Sequence, residues 1–285
     1  MNKKSIKLNT KTTYRFGGIC KNFYVLEDKN DLNSFNNIQD ADEIFVLGKG
    51  SNVAFSEQGF EGLVIQSKID FVNFESSSNI FKVGSGFYLP KLSRILKSHS
   101  LTGGEFLLGI PGTVGGALIM NAGCYGYQFM DSVISFEYFD FKTRKIKKMK
   151  KSEINYGYRY TEIINSLILS VELEFFPDDP AEISKLMKEF TQHRKKTQPS
   201  AIYNAGSVFK NGNNYYAAEL IESTGLKGFS IGGVKVSEKH ANFFVAEKGA
   251  KSSSLYNLVK HVKESVKSKH NVELEEEIIF VGEFT

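Results

Sequence analysis

Short runs with an apolar residue at every second position are interleaved along the chain with longer runs in which apolar residues return every three or four positions. Pro90 stands where a helix would begin, and Leu92, Ile95 and Leu96 follow at helical spacing, which predicts a helix to about His99. Asp179 before Pro180, Glu182 in the first turn, and Ile183, Leu186, Met187 and Phe190 on one face predict a second. A third runs from the serines at 252–254 through Leu255, Leu258, Val259, Val262 and Val266. Strand-like runs lie at 44–48, 63–66, 80–84, 133–139, 167–176 and 243–247. Strands and helices mix without a βαβ rhythm, so the expected class is α+β rather than a doubly wound sheet. The helix near 180–196 and the polar stretch KKTQPSAIYNAG mark a boundary between an N-terminal ligand module and a C-terminal one.

Composition narrows the class of protein. The 285 residues are 41% apolar and 24% charged, enough for two or three compact domains. No run of 18 apolar residues exists to span a membrane, and the basic start MNKKSIKLNTK lacks the apolar stretch of a signal peptide. A cytoplasmic protein with no membrane partner is expected. Cys20 and Cys124 fit neither a disulfide framework nor a zinc spacing, so no structural metal is expected. The net charge of +4 says little. The basic run Lys142 to Lys151 alternates lysines with Ile146 and Met149, which reads as the wet face of a hairpin; without aromatic interleaving or a recognition helix it does not point to nucleic acid.

Five segments carry candidate chemistry. The glycine-rich stretch GIPGTVGGALIMNAG (Gly109 to Gly123) reads either as a loop in which backbone approaches a cofactor closely or as a Gly-rich turn within a sheet. Neither a P-loop nor a dinucleotide G-x-G-x-x-G fingerprint is present. LGKGSN follows a short apolar strand and offers Gly48, Lys49, Gly50, Ser51 and Asn52 as a phosphate cradle. In YGYRYT, Arg159 between tyrosines is either held straight by their rings and aimed at an anion or a snorkelling surface residue. In AGSVFKN a period of two puts Ser207, Phe209 and Asn211 on one face; no G-x-S-x-G elbow surrounds Ser207, which is either a donor into a pocket or a strand-edge hydroxyl. In ELEEEIIFVGEF, a strand over 277–281 would place Glu277 on the face of Ile279 and Val281, an unusual site for a carboxylate without a partner, with Glu275 and Glu276 solvated. His240 is either a substrate contact or a packed, hydrogen-bonded core histidine.

In this order, the segments NTKTTYRFGG, LGKGSNVAFSEQGFEGLVI, GIPGTVGGALIMNAGCYG, YGYRYT, the arginine and QP of HRKKTQP, NAGSVFKN, LIESTGLKGFSIGG, VSEKHANFFV and LEEEIIFVG resemble the UDP-N-acetylenolpyruvoylglucosamine reductases (MurB) over nearly the whole chain. The resemblance implies a two-module FAD-binding domain of PCMH/VAO type, at 1–68 and 69–200, followed by an α+β substrate-binding domain at 201–285. It implies non-covalent FAD, with its diphosphate on Gly48 to Asn52 and its ring system against Pro111, Gly112, Thr113, Gly115, Gly116 and the turn Asn121, Ala122, Gly123. It implies NADPH as hydride donor, and UDP-N-acetylglucosamine enolpyruvate as the small-molecule substrate of a monomeric enzyme. Arg159, Ser207 and Glu277 match the family's catalytic motifs, and Tyr158, Asn211 and Lys235 its substrate contacts; Lys195 or Lys196 would meet the diphosphate. Departures are Thr161 in YRYT, Gly212 in KNG and Lys235 in GVKVS. Only six residues separate Thr161 from Ile168, so the tyrosine-bearing insertion of some members has no room, and a shorter subtype is expected. Two rivals are a flavoprotein of the same fold acting on another alcohol or sugar, and a non-catalytic flavin- or UDP-sugar-binding protein.

Overall fold

The structure is a computed structural model that describes residues 4–32, 43–200 and 203–284. The chain forms two compact units, and neither is one continuous stretch. The first comprises residues 1–4, 23–49 and 62–194, and the second 5–22, 50–61 and 195–285. The segments 5–22 and 50–61 return to the unit that holds the C-terminal residues, a feature that the expected boundaries at 68/69 and 200/201 do not include. That return depends on long-range pairing, which local periodicity does not encode.

The first unit is built on a five-stranded antiparallel sheet, in the order Lys145–Lys150, Val133–Asp140, Ser166–Glu174, Ile80–Gly84, Val72–Glu75. Two helices cover one face: α1 (Leu89–Ser98) and α2 (Val114–Met120). Leu92, Leu96, Val114 and Leu118 bury there against Phe81, Phe136, Tyr138, Ile168 and Val171. A register shift opposite Glu137 and Tyr138 adds one residue to the strand Ser166–Glu174, so Ile168 and Val171, three apart, share a face. On the other face Phe139, Leu167 and Leu169 meet Leu26, Leu63 and Ile65. There the strand Ile44–Leu47 runs parallel to Phe60–Ser67, pairing Leu47 with Gln66. The lysine-rich run at 145–150 is the expected hairpin strand. Lys147 holds the Asp140 carboxyl at 2.6 Å and pulls its pKa down to about 2.

The strands and the three long helices lie where the periodicity predicts. Helix α3 spans Pro180–Thr197. The glycine-rich stretch is corrected: its middle is the helix α2, not a loop. Thr113 caps it, with its hydroxyl accepting from Gly116 N at 3.4 Å, and Asn121 ends it with a left-handed φ of 39°. Ala117 and Leu118 supply the buried face that the glycines disguise.

In the second unit the helices α4 (Ala217–Ser223) and α5 (Ser252–His270) pack with the antiparallel strands Ser230–Ile231, Val234–Val236 and Phe244–Ala246. Leu255, Leu258, Val259, Val262 and Val266 form the buried face of α5. The N-terminal segment contributes Tyr14 and Phe16, stacked at 5.0 Å, and Tyr14 donates to Phe244 O at 2.8 Å. Burial pushes the Tyr14 phenol well up, so it stays a neutral donor. The strand Val53–Phe55 pairs in parallel with Ile279–Val281 and brings the segment after Gly50 beside the C-terminal residues.

Candidate active site

In the first unit Gly48 and Gly115 pack so closely on neighbouring residues that neither position admits a side chain. A Cβ on Gly48 would lie 2.7 Å from Thr113 Oγ1, and one on Gly115 would lie 2.9 Å from Ser85 Cβ. Gly115 N donates to Ser85 O at 2.8 Å, and Ser85 Oγ pairs with Ser67 Oγ at 2.7 Å. Leu89 N donates to Gly112 O, so Pro111 and Gly112 enter the helix from a fixed turn. Asn121, 1% exposed, donates to Gln128 Oε1 and Gly157 O and accepts from Met130 N. Its side chain braces the turn, whose backbone is also tied inward: Asn121 N donates to Leu118 O, Ala122 N donates to Ala117 O, and Ala122 O accepts from Phe129 N. Lys49 is exposed, with its ammonium 5.6 Å from the centre of the Tyr88 ring.

Arg159 sits at the tip of the hairpin joining Tyr156–Gly157 to Tyr160–Thr161, with φ 56°. An arginine in that left-handed region is uncommon, and such conformations gather at functional sites. Its Nη2 donates to Gly123 O at 2.7 Å and its Cζ lies 4.9 Å from the Tyr158 ring. Of the two flanking rings expected to hold it, Tyr158 lies against the guanidinium, and the hydrogen bond to Gly123 O is a second restraint. Tyr158 and Tyr160 are both about half exposed, and the carbonyl of Gly123 fixes the guanidinium.

Sequence reasoning assigned no role to Arg194. Its Cδ lies 2.5 Å from where a Cβ on Gly109 would stand, so glycine there admits the stem. Burial pushes the Cys124 thiol up while Arg194 and Arg159 oppose it, so both guanidinium groups act on the residue next to Gly123. The signals available in the sequence were Gly109 and the arginine of HRKKTQP.

In the second unit Gly50, at φ 69°, packs against the backbone of Lys11 and Thr12, too close for any side chain. Ser51 follows, and Asn52 donates to Glu277 O at 3.0 Å while its own carbonyl accepts from Ile279 N. The structure brings Ser207 and Glu277 together on neighbouring extended segments. Ser207 bridges to Phe243, Phe209 bridges to Glu276, and Val208 O accepts from both Glu277 N at 2.8 Å and Ile278 N at 3.3 Å. That doubled acceptance breaks the period of two, so two expectations are corrected. Glu277 lies ahead of the strand Ile279–Val281, with Ile278 buried and Ile279 40% exposed. Val208 and Phe209 are both buried, so 207–211 is no simple one-faced strand. Glu275 and Glu276 are paired with Lys210 and Lys263 rather than only solvated.

Asn242 locks this arrangement. Its amide accepts from Phe209 N at 2.9 Å and donates to Phe209 O at 2.8 Å, and its carbonyl accepts from Val208 N. His240 accepts from Asn242 N through Nδ1 at 3.3 Å, packs edge-on against Phe243 and is held below its ordinary pKa by burial and by Lys227. Of the two roles left open for it, the packed, hydrogen-bonded one matches these contacts. Asn211 Oδ1 accepts from Ala217 N at 3.0 Å, capping α4. Lys235 is exposed on the middle strand, paired with Ser230 and Val245. Lys195 and Lys196 are both exposed, and Lys195 O accepts from Lys239 Nζ.

Residues 35–148 match a family described as FAD binding domain, and residues 198–281 match UDP-N-acetylenolpyruvoylglucosamine reductase, C-terminal domain. A UDP-N-acetylenolpyruvoylglucosamine reductase of Orientia tsutsugamushi (strain Boryong) is 38% identical over 286 residues, covering 98% of this chain and 94% of the relative. The chain belongs to the UDP-N-acetylenolpyruvoylglucosamine reductase family. The reductase of Prochlorococcus marinus subsp. pastoris is 36% identical over 291 residues, with 98% and 97% covered. A crystal structure of the reductase from Thermus caldophilus superposes with a TM-score of 0.86 at 29% identity, covering 99% of this chain and 100% of the other. The fold is thus the α+β arrangement of a FAD-binding domain followed by the reductase C-terminal domain, and the cofactor is FAD. The residues of this reductase family member fit that cofactor. A Cβ on Gly116 would meet only Thr113 Oγ1 at 3.6 Å, so the protein's own atoms leave space there, and a buried acceptor beside Gly48, Gln66 Oε1, has no partner among the described residues. No helix among them is long and apolar enough to cross a membrane.

Proposed function

We propose that this protein reduces UDP-N-acetylglucosamine enolpyruvate to UDP-N-acetylmuramate, with NADPH as the hydride source, as a cytoplasmic monomer in peptidoglycan precursor synthesis. In this reading the flavin-binding modules lie within residues 1–68 and 69–200 and the substrate module at 201–285, with the segments 5–22 and 50–61 folding in the same compact unit as the last. The observation that carries it is the pairing of Ser207 with Glu277 through the backbone at Val208, in a family member that also keeps Arg159 in a left-handed turn. Once reduced by NADPH, the bound flavin would supply a hydride for the methylene carbon of the enolpyruvyl group. Charge then moves into the substrate carboxylate, and preorganised donors at that group lower the barrier by roughly 3–4 kcal/mol each. Arg159 is the cationic donor, already oriented by Gly123 O. Glu277, beside buried Ile278, acts in its protonated form as a second donor to the carboxylate. Ser207 delivers a proton to the α carbon; a serine hydroxyl is too weak an acid for water but adequate for a carbanionic carbon. Gly48 to Asn52 take the FAD diphosphate, and Pro111 to Thr113, Gly115 and Gly116 with Asn121 to Gly123 take the ring system. Tyr158, Asn211 and Lys235 contact the UDP-sugar, and the four-residue link between Tyr160–Thr161 and Ser166–Glu174 fits the shorter subtype.

The test is anaerobic. The flavin is bleached with one equivalent of NADPH, the enolpyruvyl substrate is added, and visible absorbance is followed. Return of the oxidised spectrum with formation of UDP-N-acetylmuramate supports the reading; a bleached flavin that never recovers overturns it.

A further inference from the structure

We propose that Gln66 is a cofactor-binding residue whose side-chain carbonyl accepts a hydrogen bond from an N–H or O–H group of FAD. The inference starts from a buried amide that is half satisfied. Gln66 is 8% exposed, at the end of the strand Phe60–Ser67, and Nε2 donates to Gly48 O at 3.1 Å. A carbonyl can only accept, so this contact fixes which end of the amide faces Gly48 and turns Oε1 the other way. Oε1 is buried and has no hydrogen-bond partner among the described residues. An unmet buried acceptor costs about as much as a lost hydrogen bond, and a methionine or leucine would fill the same volume without that cost.

The surroundings of the amide are those of the cofactor cradle. Gln66 is the register partner of Leu47, immediately before Gly48. Gly48 faces Thr113 Oγ1, which caps α2. The next residue, Ser67, is tied through Ser85 to Gly115 N. All of these belong to the first unit. FAD offers donors on its isoalloxazine N3, its ribityl and ribose hydroxyls and its adenine amine, and Oε1 can accept from any of them. The signal in the sequence is a glutamine closing the otherwise apolar run LVIQ, a polar residue where the strand enters the core.

The inference rests on FAD being the cofactor, and its test separates the two. Wild-type protein freed of flavin is titrated with FAD, following flavin fluorescence; failure to bind would remove the cofactor itself and with it the premise. Gln66→Leu and Gln66→Met, the second keeping the length of the side chain, are then titrated in the same way. Urea midpoints are measured with and without saturating FAD. The expected result is about tenfold weaker FAD binding in each variant. The stability gained on adding FAD should shrink, while the flavin-free midpoint changes by less than the FAD-bound one. A shifted visible absorbance maximum would locate the donor on the isoalloxazine ring; an unshifted one with weakened binding would locate it on the ribityl or ADP portion. Binding within twofold of wild type, or equal loss of stability with and without FAD, would reduce Gln66 to a brace for Gly48 and overturn the inference.

Discussion

Gly116→Ala adds one methyl group in the first turn of α2, and the structure says what that methyl would touch: its nearest neighbour is Thr113 Oγ1 at 3.6 Å, an ordinary contact. The protein's own atoms therefore do not require glycine there. Alanine is the better helix former by about 1 kcal/mol, less at a helix end, so the flavin-free protein should gain about 0.5–1 kcal/mol. If FAD lies against this turn, the methyl intrudes on it instead. FAD at a hundred times its Kd contributes about 2.7 kcal/mol, and a tenfold weaker complex at the same concentration contributes about 1.3 kcal/mol less. The two effects have opposite signs. Urea unfolding should show the variant more stable than wild type without flavin and less stable with it. Gly115→Ala is the control. Its methyl would stand 2.9 Å from Ser85 Cβ and 3.2 Å from Ser85 O, on backbone that Gly115 N already binds, so it should destabilise both forms by about 1–3 kcal/mol. A Gly116→Ala protein that is more stable without flavin yet binds FAD within twofold of wild type would refute the assignment of this turn to the cofactor.

Ser207→Ala should leave reduction of the flavin by NADPH unchanged and slow reoxidation by the enolpyruvyl substrate by about 10²–10⁴-fold, read by rapid mixing of each half-reaction; equal loss in both would remove the proton-donor role. Asn242→Ala leaves Phe209 N and O without partners in the core and should cost about 2–4 kcal/mol in urea unfolding, with a cut of less than 0.5 kcal/mol refuting its bracing role. His240 is held below its ordinary pKa, so the unfolded chain binds the extra proton first. Its contribution is complete above about pH 6.5 and is lost as pH falls through the lower folded value. The stability difference between wild type and His240→Gln should therefore narrow from pH 7 towards pH 5, and a constant difference would contradict the shift.

Much of the fold is legible in the order of residues alone. Apolar spacing locates α1, α3 and α5, because each buries a continuous stripe that a period of 3.6 exposes to inspection. The motif resemblance brings Ser207 and Glu277 forward as a pair, and the structure seats them on adjacent segments. Where sequence and structure part, long-range contacts decide the outcome. Helix α2 is hidden because Gly115 answers to its close approach to Ser85 and not to helix propensity. Glu277 misses its expected face because one carbonyl, Val208 O, serves two amides. Arg194, present in the motif HRKKTQP, and Gln66, closing the run LVIQ, carry no readable role in the sequence because their partners Gly109 and Gly48 are distant in it.

The interleaved second unit also sets a schedule for synthesis. Tyr14, Phe16 and Ala54 share a core with residues from Ala205 to Ile278. At a translation rate of about 5–20 residues per second, those early side chains wait roughly 8–53 s for the residues that bury them. Residues 62–194 of the first unit, by contrast, emerge as one run and can collapse while the ribosome is still working. The aromatic residues at the start of the chain are thus the ones exposed longest to chaperones and proteases, and a C-terminal truncation would leave them without a core.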